Sequence, residues 1–517
     1  MVDAATVSAT DTALIDREHM ANFTRASGST CIISSKILIA LTIVMLGGCS
    51  SVVHKPLVAP ATKDRMIAIF FDGTHNDASS DTNVKKLHAL VSLQDSKRIS
   101  SLYIEGVGAG TDVLGMGAGL GIGARVRIAY AFLLDNYRPG DKIYIFGFSR
   151  GAYSARILVS LLYHAGFPTM DSTSPPIDSA EIADIVYDAS KERLPEISPF
   201  TESKRQERVK DRLIAKGLVP DCELDMAAKG KHNDAVAVEV LGLWDTVEAL
   251  GIPDWDSKVV DRLGGDQYIP NVGNGNPRYG DKLCNVRYVF HALALDDNRE
   301  WVFTPQLMTR RHLFNGCTPN RQNPILEGAK LRKNHLHEVW FAGAHSDVGG
   351  GYPDSLLSGV SLNWMIEKLS AVAPDLLPSN AKVREDPYGT SHDPEAGLLW
   401  STLYHAFNRD VVKYALEKAT PDEGPAVPIP EHLNRGIVCV HKSVTDRRIF
   451  APPKVHEYRQ LSLRTRAKNP SGIEVDLVAD DSADYRGLGR RREKTLAVGE
   501  GPIVDKITVS ECPNGID

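Results

Sequence analysis

The sharpest chemical signal lies between residues 141 and 156, Asp-Lys-Ile-Tyr-Ile-Phe-Gly-Phe-Ser-Arg-Gly-Ala-Tyr-Ser-Ala-Arg. Ile143 to Phe146 predict a short apolar strand, Gly147-Phe148-Ser149-Arg150-Gly151 a sharp turn, and Ala152 to Leu162 a helix. A turn that tight crowds its flanks, so the positions two before and two after the serine must lack side chains, and both are glycine. This nucleophile elbow lifts the Ser149 hydroxyl above the sheet edge. A serine hydroxyl attacks only when a base removes its proton, and an imidazole base needs a carboxylate to hold its tautomer and stabilise the cation. Asp245, in Trp244-Asp245-Thr246-Val247, and His345, in Ala344-His345-Ser346-Asp347, each follow a predicted strand, in the chain order Ser149, Asp245, His345. A rival set runs in the same order, because Asp347 lies just past His345 and His441 follows the final predicted strand. The Arg150 backbone amide comes with the elbow as a donor to a developing oxyanion, and Gly73 or Thr74 supplies the second.

The elements that must position these residues read as an α/β sheet. Met66 to Phe71 is a continuous apolar run, the mark of a strand covered on both faces in a parallel sheet, and it ends in Asp72-Gly73-Thr74-His75-Asn76. Further strands are expected at Ser101 to Ile104, Val236 to Leu243, Glu338 to Gly343 and Gly436 to Val440. Loops at the carboxyl ends of such strands bind ligands. Between the elbow helix and the strand before Asp245, residues 168–233 turn charged and Pro-containing, with helical patterns around Glu181 to Leu194 and Lys204 to Lys216. This reads as a helical insertion, either a lid or a solvated decoration. Beyond about Arg466 the sequence is polar and Gly-rich, so 466–517 is expected to form a small appendage or tail.

Several chemistries are excluded. A net charge of −6 gives no basic face for nucleic acid. Gly119, Gly121 and Ala124 match a dinucleotide loop, yet the preceding strand lies too far upstream and no acidic partner follows at the right distance, so no cofactor is expected. Asp72 has no clustered carboxylate beside it, and the seven cysteines form no Cys-x-x-Cys pattern, so no metal is expected. The scattered cysteines allow a disulfide or two in an oxidising compartment without specifying one.

At the N-terminus, Lys36 precedes the uncharged run Ile37 to Leu46, too short to span a bilayer as a mature helix. Leu46-Gly47-Gly48-Cys49-Ser50-Ser51 then resembles the lipobox of bacterial lipoproteins, in which cleavage leaves a lipidated N-terminal cysteine. Residues 1–48 are therefore expected to be a signal peptide, Cys49 the lipidation site, and 49–64 a Pro-containing tether. The leader before Lys36 is long, and a start at Met20 would give a more usual signal length. Ser50 after the cysteine resembles the sorting signal for the outer membrane.

Phe70-Phe71-Asp72-Gly73-Thr74-x-Asn76, Gly147 to Ala152, Leu243 to Val247, His291-Ala292-Leu293-Ala294-Leu295-Asp296, His345 to Tyr352 and His441-x-Ser443-Val444 together resemble the α/β-hydrolase lipases that include the first class of type VI secretion phospholipase effectors. The resemblance covers residues 65–465. It implies an α/β-hydrolase fold, a mostly parallel doubly wound sheet, with the triad on Ser149, Asp245 and His345. The implied activity is phospholipase A type hydrolysis of glycerophospholipid esters, without a cofactor. The lipoprotein-like leader, and the lack of a large C-terminal membrane-docking region, point to a resident envelope enzyme facing the periplasm; a secreted effector with a secretion-system or immunity partner is the alternative. An esterase of soluble substrates and a silent lipid-anchored binding protein on the same scaffold stand as alternative activities.

Overall fold

A computed structural model describes residues 57–59, 64–73, 80–94, 98–106, 122–170, 176–190, 199–219, 236–247, 282–297, 303, 305–308, 326–327, 330–331, 335–392, 409, 437–444, 466–468, 474–476, 494–497 and 506–511. The chain divides into two units, Met1–Gly48 and Cys49–Asp517. The signal-peptide and Cys49 expectations fall outside the described residues, as does Thr74. Everything below concerns the second unit.

Nine strands form the central sheet: β1 Met66–Phe71, β2 Ile99–Ile104, β3 Lys142–Phe148, β4 Val238–Trp244, β5 Val286–Ala294, β6 Leu336–Phe341, β7 Ile437–Val440, β8 Lys494–Ala497 and β9 Lys506–Glu511. Their order is β8-β9-β7-β6-β5-β4-β3-β1-β2, and every pairing is parallel except β8 with β9. The period-two geometry of a strand divides β1 cleanly. Ile67, Ile69 and Phe71 face the layer containing helices α2 (Ile122–Asn136) and α3 (Arg150–Ala165), while Met66, Ala68 and Phe70 face α1 (Asn83–Ser92) and α7 (Leu356–Val372). Helices on both faces explain why β1 reads as an unbroken apolar run. The chain is thus a doubly wound α/β-hydrolase-type fold, as its residues predict.

Sequence order reverses between β1 and β3, since β2 lies outside β1 on one side and β4 outside β3 on the other. Such a switch point opens a crevice at the carboxyl ends of the strands, and ligands bind there in open α/β sheets. Asp72 and Gly73 leave β1 at this point, and Ser149 leaves β3.

Three expectations about the periphery need correction. Helices α4 (Ser179–Ser190) and α5 (Pro199–Ala215), in the segment read as a lid or decoration, bury Ile182, Ala183, Val186, Tyr187, Val209 and Leu213 in the same core as α2 and α3. They are a packed layer, because their apolar stripes are matched by those helices. The expected C-terminal tail contributes β8 and β9 to the sheet. In β9, Ile507 and Val509 alternate with Thr508 and Ser510, the pattern of a strand near an edge, and Ile437 to Val440 pair with Thr508 to Glu511. Within the expected tether, Leu57 bridges to Ser101 on β2, with Leu57 N–H to Ser101 O at 3.0 Å and the reverse bond at 2.8 Å.

Cys284 and Cys439 are each disulfide-bonded. By register, Cys439 stands level with Val339 and hence with Ala292. Cys284 lies in the turn before β5, and from Val286 to Ala292 alone the strand runs about 20 Å at 3.3 Å per residue, beyond disulfide reach, so the two belong to separate bridges. No helix among the described residues is long and apolar enough to cross a membrane.

Candidate active site

Ser149 occupies the turn between β3 and α3 with φ 58° and ψ −128°, a conformation that costs a non-glycine residue free energy and that only a well-determined surrounding structure holds. The surroundings are visible. The Ser149 N–H donates to Trp244 O at 3.0 Å, tying the elbow to β4, and the Ser149 carbonyl accepts from Tyr153 N at 3.2 Å. A Cβ on Gly151 would lie 2.3 Å from Phe71 O and 2.5 Å from Asp72 O, and one on Gly147 would lie 2.6 Å from Ala152 Cα. The two glycines therefore let α3 start directly against the end of β1, as the motif demands.

Asp245 leaves β4 with φ 39°, a second strained non-glycine residue in the crevice. Its carboxylate is fully buried and bonds His345 Nδ1 at 2.5 Å. It also accepts Ala294 N at 2.9 Å and a forked pair from Arg409, Nη1 to Oδ1 at 2.7 Å and Nη2 to Oδ2 at 2.8 Å. Burial pushes this carboxyl up, but the Arg409 guanidinium and His345 outweigh it and hold Asp245 down at about 2. The residue is ionised throughout the physiological range.

His345 opens α6 (His345–Gly349), the short helix following β6. Its ring meets Phe148 in a tilted contact, 4.6 Å between centroids, and Phe303 in an edge contact at 4.8 Å. Phe148 immediately precedes Ser149, so this contact ties the imidazole to the residue beside the elbow serine. Nδ1 is the ring nitrogen that bonds Asp245. The backbone below is fixed from several directions: His345 N donates to Asp297 Oδ2 at 3.1 Å, Asn83 Nδ2 to Val348 O at 2.8 Å, and Thr82 bridges to Gly350. Gly349 lacks a Cβ because Phe148 occupies its place, at 1.9 Å.

The rival pair is not brought together. Asp347 bonds His392, Nδ1 to Oδ1 at 2.6 Å, and accepts from Ala344 N at 3.0 Å and His392 N at 2.9 Å. His441 stacks on Phe341 at 4.6 Å and its Nδ1 bonds Ser443 Oγ at 2.8 Å. Burial, with Lys368 and Lys442 nearby, pushes His441 down to about 4, so it is neutral at pH 7. Gly73, expected as an oxyanion donor, lies just past the end of β1. Its N–H donates to the carboxylate of the preceding residue, Asp72, at 2.7 Å, a local bond that any role toward an oxyanion would have to displace. Arg150 is the first residue of α3, where the backbone N–H points out of the helix end, as an oxyanion donor requires.

Sequence reasoning missed Arg409, Phe303 and His392. None lies in a motif, and Arg409 is separated from Asp245 by 164 residues, so no local spacing signals it. It missed as well the buried relay behind Asp245. Thr246 N donates to His291 Nε2 at 3.2 Å, so the His291 proton sits on Nδ1 and is donated to Glu338 Oε2 at 2.8 Å, which also accepts Met308 N at 2.9 Å. Burial keeps His291 below its ordinary value, consistent with a neutral ring bridging β4, β5 and β6.

Asp72 uses its carboxylate internally, accepting from Gly73 N, from Thr82 Oγ1 at 2.6 Å and from the Tyr103 hydroxyl. Burial outweighs these donors and raises it to about 6. A carboxyl whose pKa rises from 3.8 in the unfolded chain to about 6 in the fold binds its proton more tightly when folded. Its contribution to stability is therefore complete below about pH 3.8 and is lost as pH rises through 6. Asp72→Asn cannot titrate, so the stability of wild type relative to this variant is expected to fall by about 2 kcal/mol between pH 4 and 7.5, measured by urea unfolding. A difference independent of pH would show that Asp72 titrates normally.

A nucleophile elbow at the switch point of a parallel sheet, with a histidine bonded to an aspartate at the same carboxyl end of the sheet, defines a serine hydrolase of the α/β class. The chain belongs to the family described as T6SS, phospholipase effector Tle1-like, catalytic domain, whose model matches residues 65–368. An uncharacterised protein of Saccharomyces cerevisiae is 30% identical over 319 residues, which are 55% of this chain and 41% of the yeast protein. The chain thus spans less than half the length of that relative. Among solved structures, an uncharacterised protein from Pseudomonas aeruginosa is 15% identical, with 85% of this chain and 61% of that one covered and a TM-score of 0.32. The Tle1 effector bound to the VgrG spike of the type 6 secretion system is 17% identical, with 57% and 52% covered and a TM-score of 0.27. A propionate-bound thermophilic esterase from the planctomycete Thermogutta terrifontis is 15% identical, with 64% and 91% covered and a TM-score of 0.29.

Proposed function

We propose that the chain is a phospholipase A type esterase acting through an acyl-enzyme on Ser149, with His345 as its base and Asp245 as the orienting carboxylate. The observation that carries this reading is the Asp245 to His345 bond at 2.5 Å, formed where the ring also stacks on the residue preceding Ser149. In the first step the Ser149 hydroxyl attacks the ester carbonyl and passes its proton to His345 Nε2, while the Arg150 amide receives the oxyanion. His345 then returns that proton to the departing lysophospholipid alcohol. Water repeats the sequence on the acyl-enzyme, releasing a fatty acid and regenerating the serine. Asp245 stays ionised throughout and balances the imidazolium.

The proposal includes anchoring through a lipidated Cys49 in an outer membrane, facing the periplasm. Two separate disulfides support an oxidising compartment, and the lipobox-like leader supports the anchor. A secreted effector carried by a spike partner, as the solved Tle1 complex shows for that protein, is the competing arrangement. The catalytic reading is tested by incubating wild type and Ser149→Ala with vesicles of phosphatidylethanolamine and phosphatidylglycerol and identifying products by mass spectrometry. Wild type is expected to release free fatty acid and lysophospholipid and to react with a fluorophosphonate, and the variant to do neither. Fluorophosphonate labelling that persists in Ser149→Ala would remove the serine from its role.

A further inference from the structure

Arg409 contributes more to this site than an ion pair. Its side chain is fully buried, and four donors converge from it: Nη1 to Asp245 Oδ1 and, at 2.5 Å, to Ala294 O, and Nη2 to Asp245 Oδ2 and, at 2.7 Å, to Phe303 O. One planar fork thereby joins the end of β4, the end of β5 and residue 303. Phe303 is the residue whose ring meets the edge of His345. The guanidinium therefore fixes both the carboxylate that orients the imidazole and one of the two rings that enclose it. Only the flat, bidentate geometry of arginine satisfies a carboxylate and two carbonyls at once.

The charge matters as much as the geometry. In a serine triad the carboxylate favours the imidazolium and so raises the pH at which the histidine becomes a free base. Here Asp245 faces Arg409 on one side and His345 on the other, with the neutral His291 behind; among the described residues Asp297 accepts the His345 backbone N–H, and Asp347 lies on the same short helix, bonded to His392. A full positive charge bonded to both oxygens of Asp245 offsets much of the field that would otherwise hold His345 protonated. We propose that Arg409 is a positioning residue that sets the working pH of the His345 base, keeping the enzyme active at lower pH than a bare Asp-His pair would. This rests on the triad reading above.

The test compares full-length wild type, Arg409→Lys and Arg409→Met by kcat/KM for p-nitrophenyl butyrate, and by the rate of fluorophosphonate labelling, each from about pH 4.5 to 9. Wild type is expected to show an acid limb below about 6.5, the ordinary imidazole value. Arg409→Met should lose about 100-fold in rate and move that limb upward by about one pH unit, because the uncompensated Asp245 charge now favours the imidazolium. Arg409→Lys keeps the charge but loses the fork, so its rate should fall while its limb stays near that of wild type. Added guanidinium should restore Arg409→Met and return its limb toward wild type. A folded Arg409→Met with an unmoved limb, or an Arg409→Lys limb displaced as far as that of Arg409→Met, would overturn the proposal. Should Arg409→Met fail to fold, a wild-type acid limb at or above about pH 7 overturns it without any variant. Labelling of Ser149→Ala at the wild-type rate would instead refute the triad reading, which separates the two failures.

Discussion

His345→Ala is expected to lower turnover of a nitrophenyl ester by about four to six orders of magnitude, close to the level of Ser149→Ala, while His441→Ala keeps most of the activity. The magnitude follows from how triad members act as a unit: once the base is gone the serine hydroxyl is no better a nucleophile than water's own, and removing the nucleophile as well changes little more. The contrast between the two histidines follows from their partners. His345 is bonded to the buried, ionised Asp245 and stacked on the residue before the serine, whereas His441 bonds Ser443 and lies flat on Phe341. Initial rates under pseudo-first-order conditions, with melting temperatures to confirm folding, decide the matter. Equal losses from the two substitutions would put His441 in the chemistry, and a folded His345→Ala with near-normal turnover would remove His345 from it.

Gly151→Ala should be the most damaging single methyl in the elbow. The added carbon would stand 2.3 Å from Phe71 O and 2.5 Å from Asp72 O, backbone atoms at the end of β1 and of the residue just after it, so no side chain can swing aside to make room. Helix α3 or the end of β1 must move by the better part of an ångström. Overpacking of this kind costs about 1 to 3 kcal/mol or more, and a displacement of about 1 Å at a reacting group costs about 100-fold in rate. Urea unfolding and initial rates on the same preparation measure the two effects together. Wild-type stability and rate in this variant would show that α3 does not lie as close to β1 as the structure places it.

The residues announce the elbow for a physical reason that also limits what else they announce. Gly147, Ser149 and Gly151 meet a local steric demand, so their spacing is written within five positions, and strand and helix on either side carry equally local patterns. Asp245 and His345 were legible at one remove, as polar residues at the ends of apolar strands in triad order. Between His345 with Asp245 and His441 with Asp347, local pattern left both open and only the family resemblance favoured the first, because pairing depends on which strand ends the sheet brings together. The order β7-β6-β5-β4-β3-β1 and the Phe148 ring on His345 settle how those residues are placed.

Chain order and local pattern alone determined the parallel sheet, the serine's turn and the candidate pair of Asp and His. The tertiary structure decided that Asp347 would bond His392 and that the C-terminal segment would supply β8 and β9. It alone brought Arg409 onto Asp245 from a stretch with no motif. A long-range ion pair costs nothing in local spacing and needs only one side chain long enough to reach. Nothing in the neighbouring residues therefore records it, and it exists only once the strands are in register.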